Sequence, residues 1–198
     1  MNKILLRKIC TAAILSGIAA LLMLLEFPLP LLPSFIKLDF SDLPAVLTGF
    51  ICGPFWGVLV SLLKNLLHLP MTSSFGVGEM CNFFISVGYV LPASLIFRTR
   101  PSKHMAVIGC LAGIIAASAV SFPLNYYVTY PIYCRLFGGM ETVLNAYRAI
   151  NPTMTDLAQC LAWFNIPFTL VKGSAVSVMC FLCYRPLKGV IMRFLHKS

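Results

Sequence analysis

Long apolar runs separated by short polar breaks make up most of the chain, and this pattern predicts membrane-spanning helices. The runs cover residues 9–25, 44–69, 76–97, 105–130 and 157–184. Gly53-Pro54 interrupts the second run, which therefore predicts two helices, 44–52 and 55–69, joined by a tight turn. Because a perpendicular span needs about 20 residues, the helix at 44–52 is too short to cross the membrane alone. Short helices at membrane depth are tolerated where they line a cavity.

The composition agrees with this pattern, since 59% of the residues are hydrophobic and only 11% are charged. A soluble domain carries roughly 25% charged residues. We therefore predict an all-α integral membrane protein, with one domain over residues 1–198 and six transmembrane helices, the second of them short. The sequence G-x-x-x-x-G-K-[ST] does not occur, so nucleotide hydrolysis is not expected of this chain. A short surface helix is predicted at 141–149.

The net charge of +9 is explained by where the basic residues lie. Ten of the fifteen fall in three segments that flank apolar runs: Lys3, Arg7 and Lys8; Arg98, Arg100 and Lys103; and Arg185, Lys188, Arg193 and Lys197. Six crossings put all three segments on one side, and an excess of Lys and Arg marks the cytoplasmic side. We predict a multi-pass protein of the cell membrane with both termini in the cytoplasm, embedded in the lipid bilayer and without a nucleic-acid partner.

Neither the cysteines nor the acidic residues indicate a metal site or an enzyme. The eight cysteines are scattered, mostly inside apolar runs, where such residues usually behave as small hydrophobes. No His or second Cys pair completes the spacing of a metal site. Of the six acidic residues, only Glu79 lies in the middle of a span. An intramembrane enzyme would need an activated nucleophile or paired acids, so no catalytic residue is predicted.

Small residues recur one turn apart along the first span, and they allow another helix to approach closely. They are Ala12, Ala13, Ser16, Gly17 and Ala20. Two interpretations are open from the sequence. The residues either pack against helices of this chain or dock to a separate membrane subunit.

Each of three predicted spans carries polar residues along one helix face. They are Glu79, Asn82 and Ser86; Ser118, Ser121 and Asn125; and Asn165, Thr169 and Lys172. Because an ionisable side chain within a span tends to face the bundle interior, the three faces together predict a cavity in the outer half of the bundle. An alternative pairs Lys172 with Glu79 only to neutralise two buried charges, but it leaves the amides and hydroxyls unexplained.

Lys64, Asn65 and His68 lie near the outer end of the predicted helix 55–69. Lys64 and His68 are four residues apart and therefore share a face. These side chains either reach the outer membrane interface by snorkelling or contribute to the cavity.

The segment 37–45, Lys-Leu-Asp-Phe-Ser-Asp-Leu-Pro-Ala, joins the first two helices and contains two of the six acidic residues. Three prolines within 27–33 prevent a continuous helix before it. The segment is either a solvated connector or a lid over the cavity.

Such a cavity offers many hydrogen-bond partners and little net charge, with flat rings such as Phe40 and Tyr126 available as walls. It suits a planar, polar, nearly neutral molecule better than a phosphorylated one, because no Arg cluster points into it. The candidate substrate-binding residues are Asp39, Phe40, Lys64, Asn65, Glu79, Asn82, Asn125, Tyr126, Asn165, Thr169 and Lys172.

Over nearly its whole length the chain resembles the riboflavin-binding S components, the substrate-capture subunits of energy-coupling-factor (ECF) vitamin transporters. Besides the small-residue repeat of the first span, the resemblance rests on short motifs. They are Phe27-Pro-Leu-Pro, Lys37-Leu-Asp-Phe-Ser-Asp-Leu-Pro-Ala45, Gly53-Pro54, Lys64-Asn65, Gly76-Val-Gly-Glu-Met-Cys-Asn82, Leu124-Asn-Tyr126 and Pro167-Phe-Thr-Leu-Val-Lys-Gly173. The six-helix pattern alone is less specific, because S components for other vitamins share it.

The resemblance implies the six-helix S-component fold, with an outward-opening riboflavin site made by the first loop and the last three helices. Asn125 and Lys172 match positions that contact the ligand in the family. At a third such position the family has Asn and this chain has Thr169, so a hydroxyl replaces an amide, and Asn165 is placed to compensate one turn earlier. Glu79 matches a position expected to face the ribityl hydroxyls.

The resemblance also implies that riboflavin is a transported ligand, that no cofactor is needed, and that the partners are an ECF transmembrane coupling subunit and two ATPase subunits. Two other functions stay open at this point. The chain could be an S component for another planar vitamin, or a stand-alone membrane facilitator. Tight ligand binding without unaided uptake would separate a capture subunit from a facilitator.

Overall fold

The computed structural model describes residues 3–72, 74–136 and 138–195, and this part of the chain is largely helical. Its helices are α1 (Lys3–Leu24), α2 (Asp42–Cys52), α3 (Pro54–His68), α4 (Val77–Thr99), α5 (Lys103–Leu124), α6 (Tyr130–Leu136), α7 (Met140–Arg148), α8 (Leu157–Cys160) and α9 (Ile166–Leu195). A 3-10 turn, Leu69–Met71, follows α3, and two π-helices, Asn125–Thr129 and Leu161–Asn165, continue α5 into α6 and α8 into α9. Two short strands, β1 (Phe27–Pro28) and β2 (Lys37–Leu38), pair antiparallel between α1 and α2. Lys197 of the predicted basic tail lies outside the described residues.

The all-α membrane architecture with a short second helix is confirmed. Within the described ranges, four helical segments are long and apolar enough to cross a membrane, and they are Lys3–Leu24, Val77–Thr99, Lys103–Leu136 and Leu157–Tyr184. The helices on either side of Gly53 have 11 and 15 residues. Because these two are shorter than a full span, the count of six crossings stays a prediction.

The short helix α2 lies at the centre of the bundle, where it packs against α1, α3, α4 and α9. All of its 11 residues are buried, as expected for a helix that is apolar all round. At 1.5 Å per residue it is about 16 Å long, roughly half the thickness of the hydrocarbon core. A buried helix of this length leaves room for a cavity at one of its ends.

The turn between α2 and α3 depends on a backbone conformation that favours glycine. Gly53 has φ 114°, and Pro54 follows at the first helical position, where its missing N–H needs no partner. A Cβ placed on Gly53 would lie 3.5 Å from the Arg98 guanidinium, and Lys8 is also within electrostatic range of Cys52. The basic ends of α1 and α4 therefore meet at the same end of the bundle as this turn.

The small residues of α1 divide between two faces of the helix. Ala12 and Ser16 are buried against the rest of the bundle, so for these two the internal-packing interpretation is correct. Ala13 is exposed, and Gly17 and Ala20 are half-exposed. A Cβ added to Gly17 would meet no atom within 4 Å, so only this second group leaves an open surface for another helix.

Two glycines one turn apart allow α4 and α5 to pack backbone against backbone. A Cβ on Gly109 would lie 2.5 Å from the Ala93 carbonyl oxygen, and one on Gly113 would lie 2.5 Å from the Tyr89 carbonyl oxygen. Such contacts are typical of small residues at the interfaces of membrane helices. This close pair holds the polar faces of α4 and α5 beside each other.

Helix α7, predicted at 141–149, lies over the end of the bundle opposite the Gly53 turn. Its buried residues are Val143, Leu144 and Tyr147. They form an apolar cluster with Ile36 of the first loop, with Tyr130 and with residues at the start of the last span. The segment after α6 is therefore part of the packed structure and forms a wall of the space beneath it.

Candidate functional site

A cavity of about 560 Å³ opens at the N-terminal end of α2. This volume lies within the roughly 300–1,000 Å³ typical of small-molecule sites. Residues from α1, the loop that follows it, α4, α5, α7, α9 and both π-helices line the cavity. The first loop, the α7 segment and the last long helix thus meet around one space.

Seven of the eleven predicted substrate-binding residues line this cavity. They are Asp39, Glu79, Asn82, Asn125, Asn165, Thr169 and Lys172. They come from the first loop and from the three spans whose polar faces were predicted to converge. The three predicted polar faces therefore meet at one cavity, although Ser86 and Ser118 of these faces do not line it.

The other four candidates lie outside the cavity. Lys64 is fully buried, which also excludes snorkelling to the interface. Asn65 donates its amide to the Ser61 carbonyl oxygen of its own helix, at 2.7 Å. Phe40 packs against the central apolar core, and Tyr126 is 37% exposed. Tyr126 follows Asn125 directly, but of the two only Asn125 lines the cavity.

Four charged side chains form a network at the floor of the cavity. Lys172 Nζ donates to Asp39 Oδ2 at 2.6 Å, and Lys64 Nζ donates to Asp42 Oδ1 at 2.6 Å. Lys64 Nζ also donates to Ser41 Oγ at 2.6 Å. The network joins the first loop, α2, α3 and α9, and its two ammonium groups balance its two carboxylates.

Asp39 accepts hydrogen bonds from three donors. Besides Lys172, they are the Ser41 backbone N–H at 2.8 Å and the Ser41 hydroxyl. Burial of the carboxyl disfavours its charged form, but the nearby Lys172 and Lys64 ammonium groups outweigh that effect and hold the pKa of Asp39 below its usual value. Asp39 is therefore an anion at neutral pH, fixed in position on the cavity wall.

The proposed pairing of Lys172 with Glu79 is wrong, because each has a different partner. The Lys172 ammonium is bonded to Asp39. Glu79 Oε1 lies 2.9 Å from His68 Nδ1, and Glu79 Oε2 accepts the hydroxyl of Thr72 at 2.8 Å. Lys172 lies seven residues beyond Asn165 on the last long helix, whereas Glu79 lies in the first turn of α4, so the two charges face different parts of the cavity wall.

A cluster of hydroxyls and amides joins α5 to α9. Asn125 Nδ2 donates to the Ser121 carbonyl oxygen at 2.8 Å. Thr169 Oγ1 donates to the Asn165 carbonyl oxygen at 2.8 Å and lies 3.2 Å from Ser121 Oγ. Asn125 opens one π-helix and Asn165 closes the other, and π-helices frequently occur at functional sites.

Two phenols hold the amide of Asn165. Tyr147 Oη donates to Asn165 Oδ1 at 2.8 Å, and Asn165 Nδ2 donates to Tyr130 Oη at 3.1 Å. Burial, reinforced by the neighbouring Tyr130, raises the pKa of Tyr147 well above its usual value, so this phenol keeps its proton. The ring of Phe35, from the first loop, packs edge-on against the ring of Tyr147, with 5.8 Å between the ring centroids.

Several residues that shape the cavity were not predicted from the sequence. Asp42 was treated only as part of the loop, although an acid two residues before a helix-starting Pro44 is a common signal for the first turn of a helix. Phe35 and Tyr130 line the cavity and Tyr147 bonds Asn165, but none of the three was among the predicted site residues. The spacing of Val143, Leu144 and Tyr147 at i, i+1 and i+4 was the signal in the sequence for Tyr147.

The cavity combines donors, acceptors and apolar walls without a strong net charge. Ile85, Phe168 and Val176 provide apolar surface beside the polar groups. Such a space suits a planar molecule. The ring faces contact the apolar walls, and the heteroatoms at the ring edge bond the amides and hydroxyls. Among the described residues, no group of three His, Cys, Asp or Glu side chains could hold a metal ion.

The chain matches the family model for the substrate-specific component of ECF transporters over residues 7–184. It is 32% identical over 187 residues to the riboflavin transporter RibU of Staphylococcus aureus, with 94% of this chain and 93% of that protein covered. It is 31% identical to the riboflavin transporter FmnP of Bacillus subtilis, with 92% of each chain covered.

A solved structure is similar over the same extent. The S component of a bacterial ECF transporter aligns with a TM-score of 0.73 and 31% sequence identity, covering 92% of this chain and 96% of that one. Sequence and fold are therefore both similar to S components along nearly the whole chain.

Proposed function

Because the chain belongs to the family of substrate-specific components of ECF transporters, we propose that it binds riboflavin and mediates riboflavin uptake together with an ECF energy-coupling module. It is a membrane protein of a transporter family and not an enzyme. The observation that carries the proposal for the ligand is the cavity itself, in which the Lys172–Asp39 pair, three amides and a hydroxyl surround apolar walls. Two of its relatives, those of Staphylococcus aureus and Bacillus subtilis, are both riboflavin transporters.

The polar groups of the cavity suit the two halves of riboflavin. The edge of the flavin ring presents carbonyl oxygens and ring nitrogens, which match the ammonium group of Lys172 and the hydrogen-bonding groups of Asn125 and Thr169. The ribityl chain presents hydroxyls, which match the carboxylate of Glu79 and the amide of Asn82. In this proposal Asn165, one turn before Thr169, supplies an amide. It compensates for the Thr169 side chain, which is shorter than the Asn that the family has at that position.

Purification of the protein tests the proposal directly. We expect a bound yellow chromophore and tight binding of added riboflavin to the protein freed of ligand. Cells or vesicles that contain this chain without a coupling module should take up no riboflavin. A different bound vitamin would identify an S component of other specificity, and unaided uptake would identify a facilitator.

We also propose that both termini and the segment 98–104 face the cytoplasm. Support comes from the basic ends of α1 and α4, which lie at the end of the bundle away from the cavity. In a variant without Cys10, Cys134 and Cys183, a cysteine introduced by Arg100→Cys should not react with an impermeant thiol reagent added to intact cells. One introduced by Pro152→Cys should react, and the reverse result would invert the topology.

The coupling subunit, with two ATPase subunits behind it, is proposed to dock on the open small-residue face of α1. This face consists of Ala13, Gly17 and Ala20 and leaves space for the backbone of a partner helix. Gly17→Trp is expected to prevent assembly with the coupling subunit while riboflavin affinity stays normal, as measured by co-purification and ligand titration.

Ile18→Trp is the matched control, because it replaces a large residue of the same helix that is 43% exposed. It should assemble normally. Ala12→Trp is unsuitable for this test, because Ala12 is buried within the bundle and a large side chain there would disturb the fold. Normal assembly of Gly17→Trp would move the docking surface away from this face.

A further inference from the structure

Lys64 lies behind the cavity wall and contacts no part of the cavity, yet it shares a carboxylate with the cavity lysine. Asp42 accepts Lys64 Nζ on Oδ1 at 2.6 Å, and its Oδ2 lies 3.7 Å from Lys172 Nζ. Lys172 is closer to Asp39, at 2.6 Å. Asp42 thus stands between the two ammonium groups, and the pairing within the network decides which carboxylate holds Lys172.

Shared partners link the members of the network, so a change in one is expected to affect its neighbours. Ser86 Oγ donates to Asp42 Oδ1 at 2.6 Å, and Ser41 Oγ bonds both Lys64 and Asp39. Lys64 has no exposed surface. A buried charge without a partner is costly, so a carboxylate that loses its ammonium group attracts the nearest remaining one.

We propose that Lys64 is a positioning residue for the ligand site: by neutralising Asp42, it leaves Lys172 bonded to Asp39 on the cavity wall. The proposal rests on the proposed function, in which Lys172 and Asp39 lie beside the bound riboflavin. It assigns a role to the buried Lys64-Asn65 position that direct ligand contact does not explain.

Lys64 and Asp42 form the inner pair of the network, and Lys172 and Asp39 form the outer pair. Removing either residue of the inner pair should displace Lys172 from Asp39. In Lys64→Met, Asp42 keeps Ser86 but loses its ammonium group, and Lys172 at 3.7 Å is the nearest replacement. In Asp42→Asn, Lys64 loses its counter-charge but stays bonded to Ser41, whose hydroxyl is bonded to Asp39, so Lys64 competes with Lys172 for that carboxylate. Both changes draw the Lys172–Asp39 pair out of its geometry, although they alter the charge in opposite directions.

A double-mutant cycle tests the proposal, because coupled partners give non-additive effects. Riboflavin affinity should fall about tenfold in Lys64→Met and in Asp42→Asn, since part of one charge-assisted hydrogen bond to the ligand is lost. Lys64→Met with Asp42→Asn removes the inner pair without leaving an unmatched charge. This double variant should regain most of the lost affinity, with thermal unfolding measured alongside.

A structure of ligand-free Lys64→Met provides a measurement that does not depend on riboflavin. Lys172 Nζ is expected within hydrogen-bond distance of Asp42 and farther from Asp39. If the unaltered protein bound no riboflavin, the proposed function would fail, while this displacement would still decide the positioning role. Undiminished affinity in Lys64→Met, a double variant as weak as the single ones, or Lys172 unmoved on Asp39 would each overturn the proposal. If Lys64→Met proves too unstable to purify, Asp42→Asn and the double variant complete the comparison.

Discussion

Replacing Lys172 by Met is expected to lower riboflavin affinity by roughly tenfold to hundredfold, the equivalent of one charge-assisted hydrogen bond of about 1.5–3 kcal/mol. Lys172 lines the cavity, and its ammonium group lies beside the Asp39 carboxylate at 2.6 Å. Met preserves most of the length and apolar character of the side chain but supplies no donor. The affinity is measured by titrating riboflavin into purified protein that has been freed of ligand.

The change also leaves Asp39 without its closest cation, and this second effect must be separated from the first. Breaking a buried ion pair by removing one partner typically costs about 3–5 kcal/mol of stability. Lys172→Met combined with Asp39→Asn removes both charges, and we expect it to recover thermal stability but not affinity. Recovery of both would show that the pair only neutralises charge.

The two lysines of the network should therefore respond differently to removal of their own partner. Removing Asp42 together with Lys64 is expected to recover most of the affinity that either single variant loses, because the outer pair stays intact. Removing Asp39 together with Lys172 is not expected to recover the affinity, because the outer pair itself faces the ligand. Lys103→Met, at the other end of the bundle, is a control that should leave affinity unchanged.

Periodicity located the cavity because the relevant side chains repeat along single helices. Glu79 and Asn82 share a face of α4, as Asn165, Thr169 and Lys172 share a face of the last span, and all of them reach the same space. Of the adjacent candidates Asn125 and Tyr126, only Asn125 lines the cavity. Spacing within a helix could therefore be predicted, but not the rotation of every helix.

Pairing between helices was beyond the reach of the sequence. The sequence offered Glu79 only as an alternative partner for Lys172, and the partner in the structure is Asp39 in the first loop, 133 residues away. Two features near Asp39 make this pairing possible. Helix α2 begins at Asp42 rather than at Pro44, and the loop before it is held by the β1–β2 pair and by the Glu26–Lys37 ion pair.

Short sequence signals were also weaker than the tertiary contacts they produced. The segment after α6 reads as polar and broken by glycines, but Tyr147 of α7 is fully buried and bonded to Asn165. The small residues of α1 gave one stripe in the sequence and two faces in the structure. In each case the deciding information was which neighbouring helix covers a given side, and only the fold supplies that.

Replacing Gly113 by Leu is expected to prevent formation of a stable folded protein. A Cβ at this position would lie 2.5 Å from the Tyr89 carbonyl oxygen and 2.8 Å from the Tyr89 ring, so the backbones of α4 and α5 would have to separate. Overpacking usually costs about 1–3 kcal/mol when side chains can yield, and a backbone obstacle is less able to yield. The free energy of unfolding of a native protein is only about 5–15 kcal/mol in total. Thermal unfolding in detergent measures how much stability the variant loses.

Gly189→Leu is the matched control, because a Cβ at Gly189 meets no atom within 4 Å. It introduces the same side chain into a helix and should unfold near the temperature of the unaltered protein. The Gly113→Leu variant should also lose riboflavin binding, since α4 carries Glu79 and Asn82 while α5 leads into Asn125. If Gly113→Leu unfolded at the same temperature as Gly189→Leu, the close approach of α4 and α5 would not be what holds the two polar faces around the cavity.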